Sequence, residues 1–489
     1  MPITFIDIER QKSWKIGFLL FLLVALYFIF ALIIVQAAVL FLFGIHSFII
    51  FGSLKYVTVI LLSALTIAGV HFGISAYTAV QRVLEQIRAN APDPQDGVHR
   101  QLMNIMAEIH IASGNAKKIR CMVIPTLSMN ALAVTDLKGE AVIAITEGLL
   151  SRLSRDQLEA VIAHEACHIL SGDCLEASLA TSLFGIYASA VEGLKNASAE
   201  DIRAVPILLL FWLLSTFGSV MAMFISRERE YRADAGAVRM TRNPLALAEA
   251  LHRISARWSG GGLISDGLEM LCISSPTLDA HDEAEGWLAD LLSTHPPLRK
   301  RIAVLLGMAH MSVSVLDKQD RSQTVVQMPA VPDSPAAVGS AQKRAMFCPL
   351  CRIQLECESS ESTSLFRCRS CQGLLVDNDK IPRILARRKL ECTERLVSLV
   401  RAVTADNQRS LVIRQKRLKE QKSGETISCP KCERVMFRTF YSYAYLIEID
   451  RCNVCRLTWF DVDELEMLQC LIENKITGMI ENASGLQNI

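Results

Sequence analysis

From Ile16 to Leu54 the chain carries no Asp, Glu, Lys or Arg, and after a lone Lys55 the uncharged run resumes to Gln81. A helix crosses the hydrocarbon core of a bilayer with about 20 apolar residues, so this length predicts a two-helix hairpin that turns between Gly44 and Lys55. A secretory signal has an apolar core of only about 7 to 15 residues before small residues at a cleavage site, so a cleaved peptide is not expected. A weaker stretch, Ala177 to Leu194, is rich in Ser and Ala and carries Glu192; a stronger one runs from Ala204 to Ile225. The pattern predicts four membrane spans.

Basic residues flank these runs unevenly. Arg10, Lys12 and Lys15 precede the first, Arg82 and Arg88 follow the second, and Arg227, Arg229 and Arg232 follow the fourth, while the connecting loops hold only Lys55, Lys195 and Arg203. The excess marks the cytoplasmic side, which receives both termini.

Residues 82–176 and 226–310 mix polar and apolar positions and read as one soluble domain, 82–310, into which a membrane hairpin, 177–225, is inserted. An N-terminal unit, 1–81, precedes it. Residues 311–345, rich in Ser, Gln, Pro and Ala and without periodicity, read as a flexible linker.

One stretch of the soluble domain carries candidate chemistry. In SRDQLEAVIAHEACHILSGD, Ser154 and Gln157 form the signature of a capped helix start, and Leu158, Val161, Ile162 and Ile169 recur at helical spacing up to Gly172. Residues four apart stack on one helical face, so His164 and His168 reach a single metal ion while Glu165 projects beside them toward water held by that ion. The segment ISREREYRADAGA, 225–237, offers further carboxylates. Glu230 and Asp234 are four apart, which suits one as third ligand and the other as the partner that fixes a ligand imidazole; Glu228 competes for the ligand role.

Composition adds a constraint through cysteine. Over 489 residues the formal net charge is only +1, which excludes a global polyanion-binding bias, but there are 15 cysteines. Eight of them form four Cys-x-x-Cys pairs: Cys348 and Cys351, Cys368 and Cys371, Cys429 and Cys432, Cys452 and Cys455. In a segment expected to be cytoplasmic this spacing reads as metal ligation, two knuckles supplying four thiolates to one tetrahedral zinc. The pairs lie in an internal repeat, in which CPLC, FRCRSC and LLVDNDKIPRIL correspond to CPKC, DRCNVC and TWFDVDELEML.

The copies therefore predict two small units, 346–385 and 426–480, joined by a basic helical connector, 386–425. Helical residues 383–422 carry excess Arg and Lys, read as a solvated face in preference to a surface for anionic lipid or nucleic acid. The second copy mixes Phe437, Phe440, Tyr441, Tyr443, Tyr445 and Arg438 with a carboxylate-rich tail, which disfavours nucleic acid and leaves protein recognition or self-association.

Each copy resembles the transcription-factor-IIB-like zinc ribbon, acidic helical tail included. Residues 122–305 resemble the HtpX family of membrane zinc endopeptidases, relatives of the CAAX prenyl endopeptidases, through Asn130 and Ala131, the ITEGLL run ending at Leu150, AHEACH, SREREYRAD and THPPLRKRI at 294–302. The resemblance implies an α+β integral membrane protein with four transmembrane helices and a gluzincin-type metalloprotease domain. It further implies His164, His168 and Glu230 as zinc ligands, Glu165 as general base, and an active site at the cytoplasmic face of a bacterial membrane. Beside those roles we place Asp234 next to a ligand imidazole, His295 and, less strongly, Arg301 as donors to the oxyanion, and Asn130 and Ala131 on a strand that pairs with an extended substrate. The linker and ribbons lie beyond the usual extent of that family.

Three functions compete on this sequence. The first is a membrane-anchored zinc endopeptidase, holding one catalytic and two structural zinc ions, that cleaves misfolded or regulated membrane proteins and unfolded polypeptides. The second is a dedicated processing peptidase for one substrate, and the third a membrane-tethered zinc-ribbon binding module whose protease half is regulatory.

Overall fold

The computed structural model describes residues 28, 54–114, 116–172, 174, 229–256, 298–311, 346–360, 363–387, 392–407, 426–441 and 447–477. Helix α1, Leu54–Gln86, occupies the second of the expected spans. One side of its last turns is covered by the protein: Ala79, Val80, Val83 and the following Ile87 are buried against Ile124, Leu132, Val134, Val142 and Ala144.

The four-helix membrane architecture expected from hydropathy is therefore corrected. Among the described residues, no helix is long and apolar enough to cross a membrane. In α1, polar positions such as Thr58, Ser63, Thr66, His71, Ser75 and Thr78 interrupt the apolar run, and its end serves as a wall of a protein core. The expected first span apart from Phe28, the third and fourth spans, and the linker 311–345 beyond its first residue, lie outside the described residues.

That core is built on a three-stranded sheet. Strands β1 (Arg120–Ile124), β2 (Ala131–Thr135) and β3 (Ala141–Thr146) lie in the order β1-β3-β2, with β3 parallel to β1 and antiparallel to β2. Gly139, in the left-handed region at φ 84°, turns β2 into β3. Successive side chains of a strand point to opposite faces. Val142 and Ala144 accordingly join the α1 side, and Ala141, Ile143 and Ile145 join the larger core formed by the helices on the other side. Each fully buried Ile or Leu contributes about 1.5–3 kcal/mol of burial free energy.

The helices of that second layer are α2 (Gly97–Ala112), α3 (Glu147–Arg152), α4 (Arg155–Ser171), α5 (229–241), α6 (Pro244–Ala256) and α7 (Leu298–Met308). Helix α4 starts and stops as its sequence predicts. Ser154 and Gln157 complete a capping box, and Gly172, at φ 84°, ends the helix in a left-handed turn.

The cysteine-rich repeat forms one six-stranded sheet. Strands β4 (Glu356–Ser360), β5 (Thr363–Arg367) and β6 (Leu374–Asp377) come from the first copy, and β7 (Phe437–Phe440), β8 (Glu448–Cys452) and β9 (Leu457–Phe460) from the second. Their order, β4-β5-β6-β9-β8-β7, places corresponding strands of the two copies symmetrically about the antiparallel pair β6–β9. The two expected ribbons are thus halves of a single unit. Trp459 on β9, 1% exposed, lies so close to Gly373 that a Cβ there would sit 2.1 Å from the indole.

Helices α8 (Ile381–Arg387), α9 (Glu394–Asn407) and α10 (Glu464–Thr477) complete this unit. A disulfide between Cys392 and Cys470 ties the segment just before α9 to α10, a pairing that no spacing in the sequence signals.

Candidate metal centres

The HEACH motif lies on α4, where His164 and Glu165 are buried and His168 is half-buried. Helix α5 brings Glu230 and Asp234 to it, both buried. Close approach of the two helices depends on small residues: a Cβ at Gly236 would sit 2.5 Å from the Cys167 sulfur. Cys167, the small residue of the motif, is thus a packing contact for α5.

The Nε2 atoms of His164 and His168 are 3.2 Å apart. Glu230 Oε2 is 3.4 Å from the first of them and Glu230 Oε1 is 3.7 Å from the second. Zinc bonds of about 2.0–2.1 Å at tetrahedral angles separate ligand atoms by roughly 3.4 Å, so two imidazole nitrogens and a carboxylate at these distances fit zinc.

Asp234 stands at the other nitrogen of the first imidazole. Nδ1 of His164 lies 3.0 Å from Asp234 Oδ1, an ion-pair contact. Nη2 of Arg301, fully buried on α7, lies 3.4 Å from His164 Nε2. The same guanidinium makes a fork to Asp234, at 2.6 and 2.9 Å, and lies 2.7 Å from Glu230. Two of its donors go to Asp234 and its charge lies against Glu230, so Arg301 stands beside both carboxylates.

Electrostatics follow from this packing. Burial opposes charging of His164, yet hydrogen bonds to Asp234 and Glu230 outweigh it and push the imidazole up to about 9. Asp234, despite burial, is held below the usual carboxylate range by Arg301 and His164. Burial raises the Glu165 carboxyl, with Glu230 adding to the rise and both histidines and Arg301 opposing it. A carboxyl poised upward beside the metal ligands is suited to accept and return a proton.

Asn130 and Ala131 sit at the start of β2, the edge strand of the sheet next to β3. Thr146 holds Asn130 in place, donating its hydroxyl to the Asn130 carbonyl at 2.9 Å and accepting the Asn130 N–H at 3.0 Å. Every residue of β2 is buried, so the edge that an added substrate strand would use is covered in this structure. His295 and Glu228 lie outside the described residues.

The cysteines form two sets. Cys348, Cys351, Cys368 and Cys371 converge within 4.8 Å, as do Cys429, Cys432, Cys452 and Cys455. Sulfur separations of 3.6 Å, between Cys348 and Cys371 and between Cys432 and Cys452, suit zinc–sulfur bonds of about 2.3 Å at tetrahedral angles. The residue after each knuckle, Arg352, Gln372, Glu433 or Arg456, has a positive φ. In the first three its N–H returns to the first cysteine's carbonyl, at 2.8–3.0 Å. The Arg434 N–H brings the Cys432 thiol down to about 7, toward the thiolate that a metal requires.

Reading the sequence missed a third constellation, at the contact between the two halves of the chain. Arg383 and Arg387 of α8, in a segment read as solvated, are buried against Asp93, Asp96, His99 and Glu147. Their four-residue spacing on one helical face was the available signal.

The profile of peptidase family M48 matches residues 92–309, and that of the transcription factor zinc-finger matches residues 428–469. A protein named "Protease HtpX homolog" from Bacteroides fragilis is 31% identical over 221 residues, 42% of this chain and 68% of the relative. One of the same name from Pseudarthrobacter chlorophenolicus is 35% identical over 212 residues, 43% of this chain and 72% of the relative. Another, from Dictyoglomus turgidum, is 28% identical over 333 residues, 65% of this chain and 99% of the relative. No solved structure matches the chain.

Proposed function

The chain belongs to peptidase family M48, among its HtpX-type zinc metalloendopeptidases, and from that premise we propose that it is membrane-attached and cuts misfolded or regulated membrane proteins at the cytoplasmic face. The observation that carries the catalytic part is the convergence of His164, His168 and Glu230 beside Glu165. Apolar side chains exposed along α1, among them Val59, Leu62, Leu65 and Ile74, support attachment to a bilayer.

In this reading His164 and His168 on α4 and Glu230 on α5 hold the ion. Zinc, when bound, polarises the scissile carbonyl and acidifies the attacking water. Glu165 takes the proton of that water on its carboxylate and returns it to the leaving amine. Asp234 keeps Nδ1 of His164 protonated, so that Nε2 presents its lone pair, and Arg301 holds Asp234 and Glu230 in position. His295 is retained as the donor to the oxyanion. An extended polypeptide pairs with the edge of β2 at Asn130 and Ala131, which requires the cover over that edge to withdraw. The cysteine unit holds two structural zinc ions and serves protein recognition or self-association, with nucleic acid disfavoured.

Substitution separates metal binding from chemistry. Glu165→Gln keeps the shape but cannot take the proton, so cleavage of an unfolded polypeptide in detergent falls by about 100-fold or more while zinc is retained. Glu230→Gln loses zinc as well as activity, and Glu228→Gln loses neither. Equal zinc retention in all three, with Glu165→Gln cleaving at the wild-type rate, would refute the assignment.

A further inference from the structure

Helix α8 has two faces with different tasks. Ile381, Ile384 and Leu385 are buried in the core of the cysteine unit, packed with Leu365, Val376 and Phe460. Arg383 and Arg387 leave that core and enter an acidic recess on the protease half. Arg383 Nε is 3.2 Å from Glu147 Oε1, and its Nη1 is 3.2 Å from both Asp93 and Asp96. Arg387 lies 2.8 Å from Glu147 Oε2 and 2.5 Å from Asp96.

The recess is built rather than incidental. Asp96, His99 and Glu147 are each at most 2% exposed. The Asp93 N–H donates to Nδ1 of His99 at 2.9 Å, so Nε2 carries the proton and donates to Glu147 at 3.1 Å. The histidine orients Glu147, and the arginines supply positive charge beside it. Buried carboxylates without such partners would be strongly unfavourable. The Glu147 carboxyl, against the effect of burial, is held down to about 2 by His99, Arg387 and Arg383.

Position gives the contact its consequence. Glu147 is the first residue of α3, next to Thr146, the residue that clamps Asn130 at the start of β2. Leu127, just before that strand, is buried within the core of the cysteine unit, and Arg152 of α3 holds the Leu127 carbonyl at 3.2 Å. The arginine plug and Leu127 thus grip both strands of the chain that frame Asn130 and Ala131.

We propose that the zinc-loaded cysteine unit docks on its own protease through Arg383 and Arg387 and so positions the edge at Asn130 and Ala131 that receives the substrate. The proposal rests on the peptidase reading for its effect on substrate, and on the ion cluster alone for the docking. Because ribbons of this size fold on their metal, loss of ribbon zinc removes the platform that presents α8. Docking then makes peptidase affinity for substrate depend on the state of the ribbons, while the residues around the catalytic zinc are untouched.

The test uses the full chain, an unfolded casein labelled for fluorescence as substrate, and amide hydrogen exchange. In Arg383→Gln/Arg387→Gln, exchange of amides in residues 146–151 should rise by about tenfold. KM should rise by about fivefold with kcat within about twofold, and zinc at His164 and His168 should be retained. Cys368→Ser/Cys371→Ser should reproduce that pattern, and Arg383→Lys/Arg387→Lys should recover part of it. Unchanged exchange overturns the docking, and raised exchange with unchanged KM overturns the positioning role. A wild-type chain that cleaves nothing overturns the peptidase reading and with it the control of KM, while the exchange measurement still decides the docking. If the glutamine pair fails to fold, Asp96→Asn and the lysine pair carry the same two readouts with the same overturning results.

Discussion

Asp234 Oδ1 lies 3.0 Å from Nδ1 of His164, both side chains buried, and the same carboxylate receives two donors from Arg301. That contact leaves Nε2 of His164 facing Glu230 and His168. Asp234→Asn keeps an acceptor oxygen but loses the charge that opposes Arg301, leaving that guanidinium with Glu230 as its remaining ion-pair partner among the described residues. Zinc affinity at this site should fall by about 10–100-fold, measured by competition with a chelator. Affinity equal to the wild type would remove Asp234 from the site's machinery.

Gly148 tests the backbone beside the docking recess. Its N–H donates to the Thr126 carbonyl at 3.0 Å, and a Cβ there would lie 2.0 Å from the Leu127 carbonyl oxygen. Backbone cannot swing away as a side chain can, so Gly148→Ala should destabilise the protease half by about 1–3 kcal/mol or more. Gly69→Ala, in α1 with nothing within 4 Å, is the control and should be neutral or slightly stabilising. Thermal unfolding of the two variants decides it; equal melting temperatures would contradict the packing described.

Local signals were legible in the sequence where local physics determines them. The Ser154 and Gln157 cap, the stop at Gly172, the stacking of His164 on His168 and the knuckle spacing all follow from helix geometry and ligand chemistry within short windows. What depends on distant partners was not. A solvated basic helix and a helix with Arg383 and Arg387 buried in a carboxylate recess have the same composition, and only tertiary contact separates them. Fusion of the ribbons through β6 and β9, and the Cys392–Cys470 bond, are likewise long-range choices. At α1 an apolar run alone does not say what it faces: its last turns pack on the sheet while Val59, Leu62, Leu65 and Ile74 are exposed.

Metal content separates the three candidate centres. The full chain should bind three zinc ions, since each donor set is complete. Cys348→Ser/Cys368→Ser should remove one ion, Cys429→Ser/Cys452→Ser another, and His164→Ala/His168→Ala the third, each read by elemental analysis after gel filtration. A ribbon variant that loses both structural ions would mean that the halves of the shared sheet fold only together.

The last prediction concerns Glu464, at the start of α10. Its Oε2 accepts the Asp461 N–H at 2.8 Å, and burial, with Asp461 and Asp450 adding to it, raises the carboxyl from 4.5 to about 8. Between those values the unfolded chain has released its proton while the folded one has not. The folded state then binds more protons, so this group's contribution to stability falls as pH rises through the window and levels off above it. Glu464→Gln keeps the acceptor oxygen and removes the titration. Relative to wild type, the variant's melting temperature should therefore climb steadily from about pH 5 to about pH 8 and change little beyond. Zinc-linked effects are common to both proteins and cancel in the difference. A difference that stays constant across that range would show that Glu464 ionises in the folded chain as it does in water.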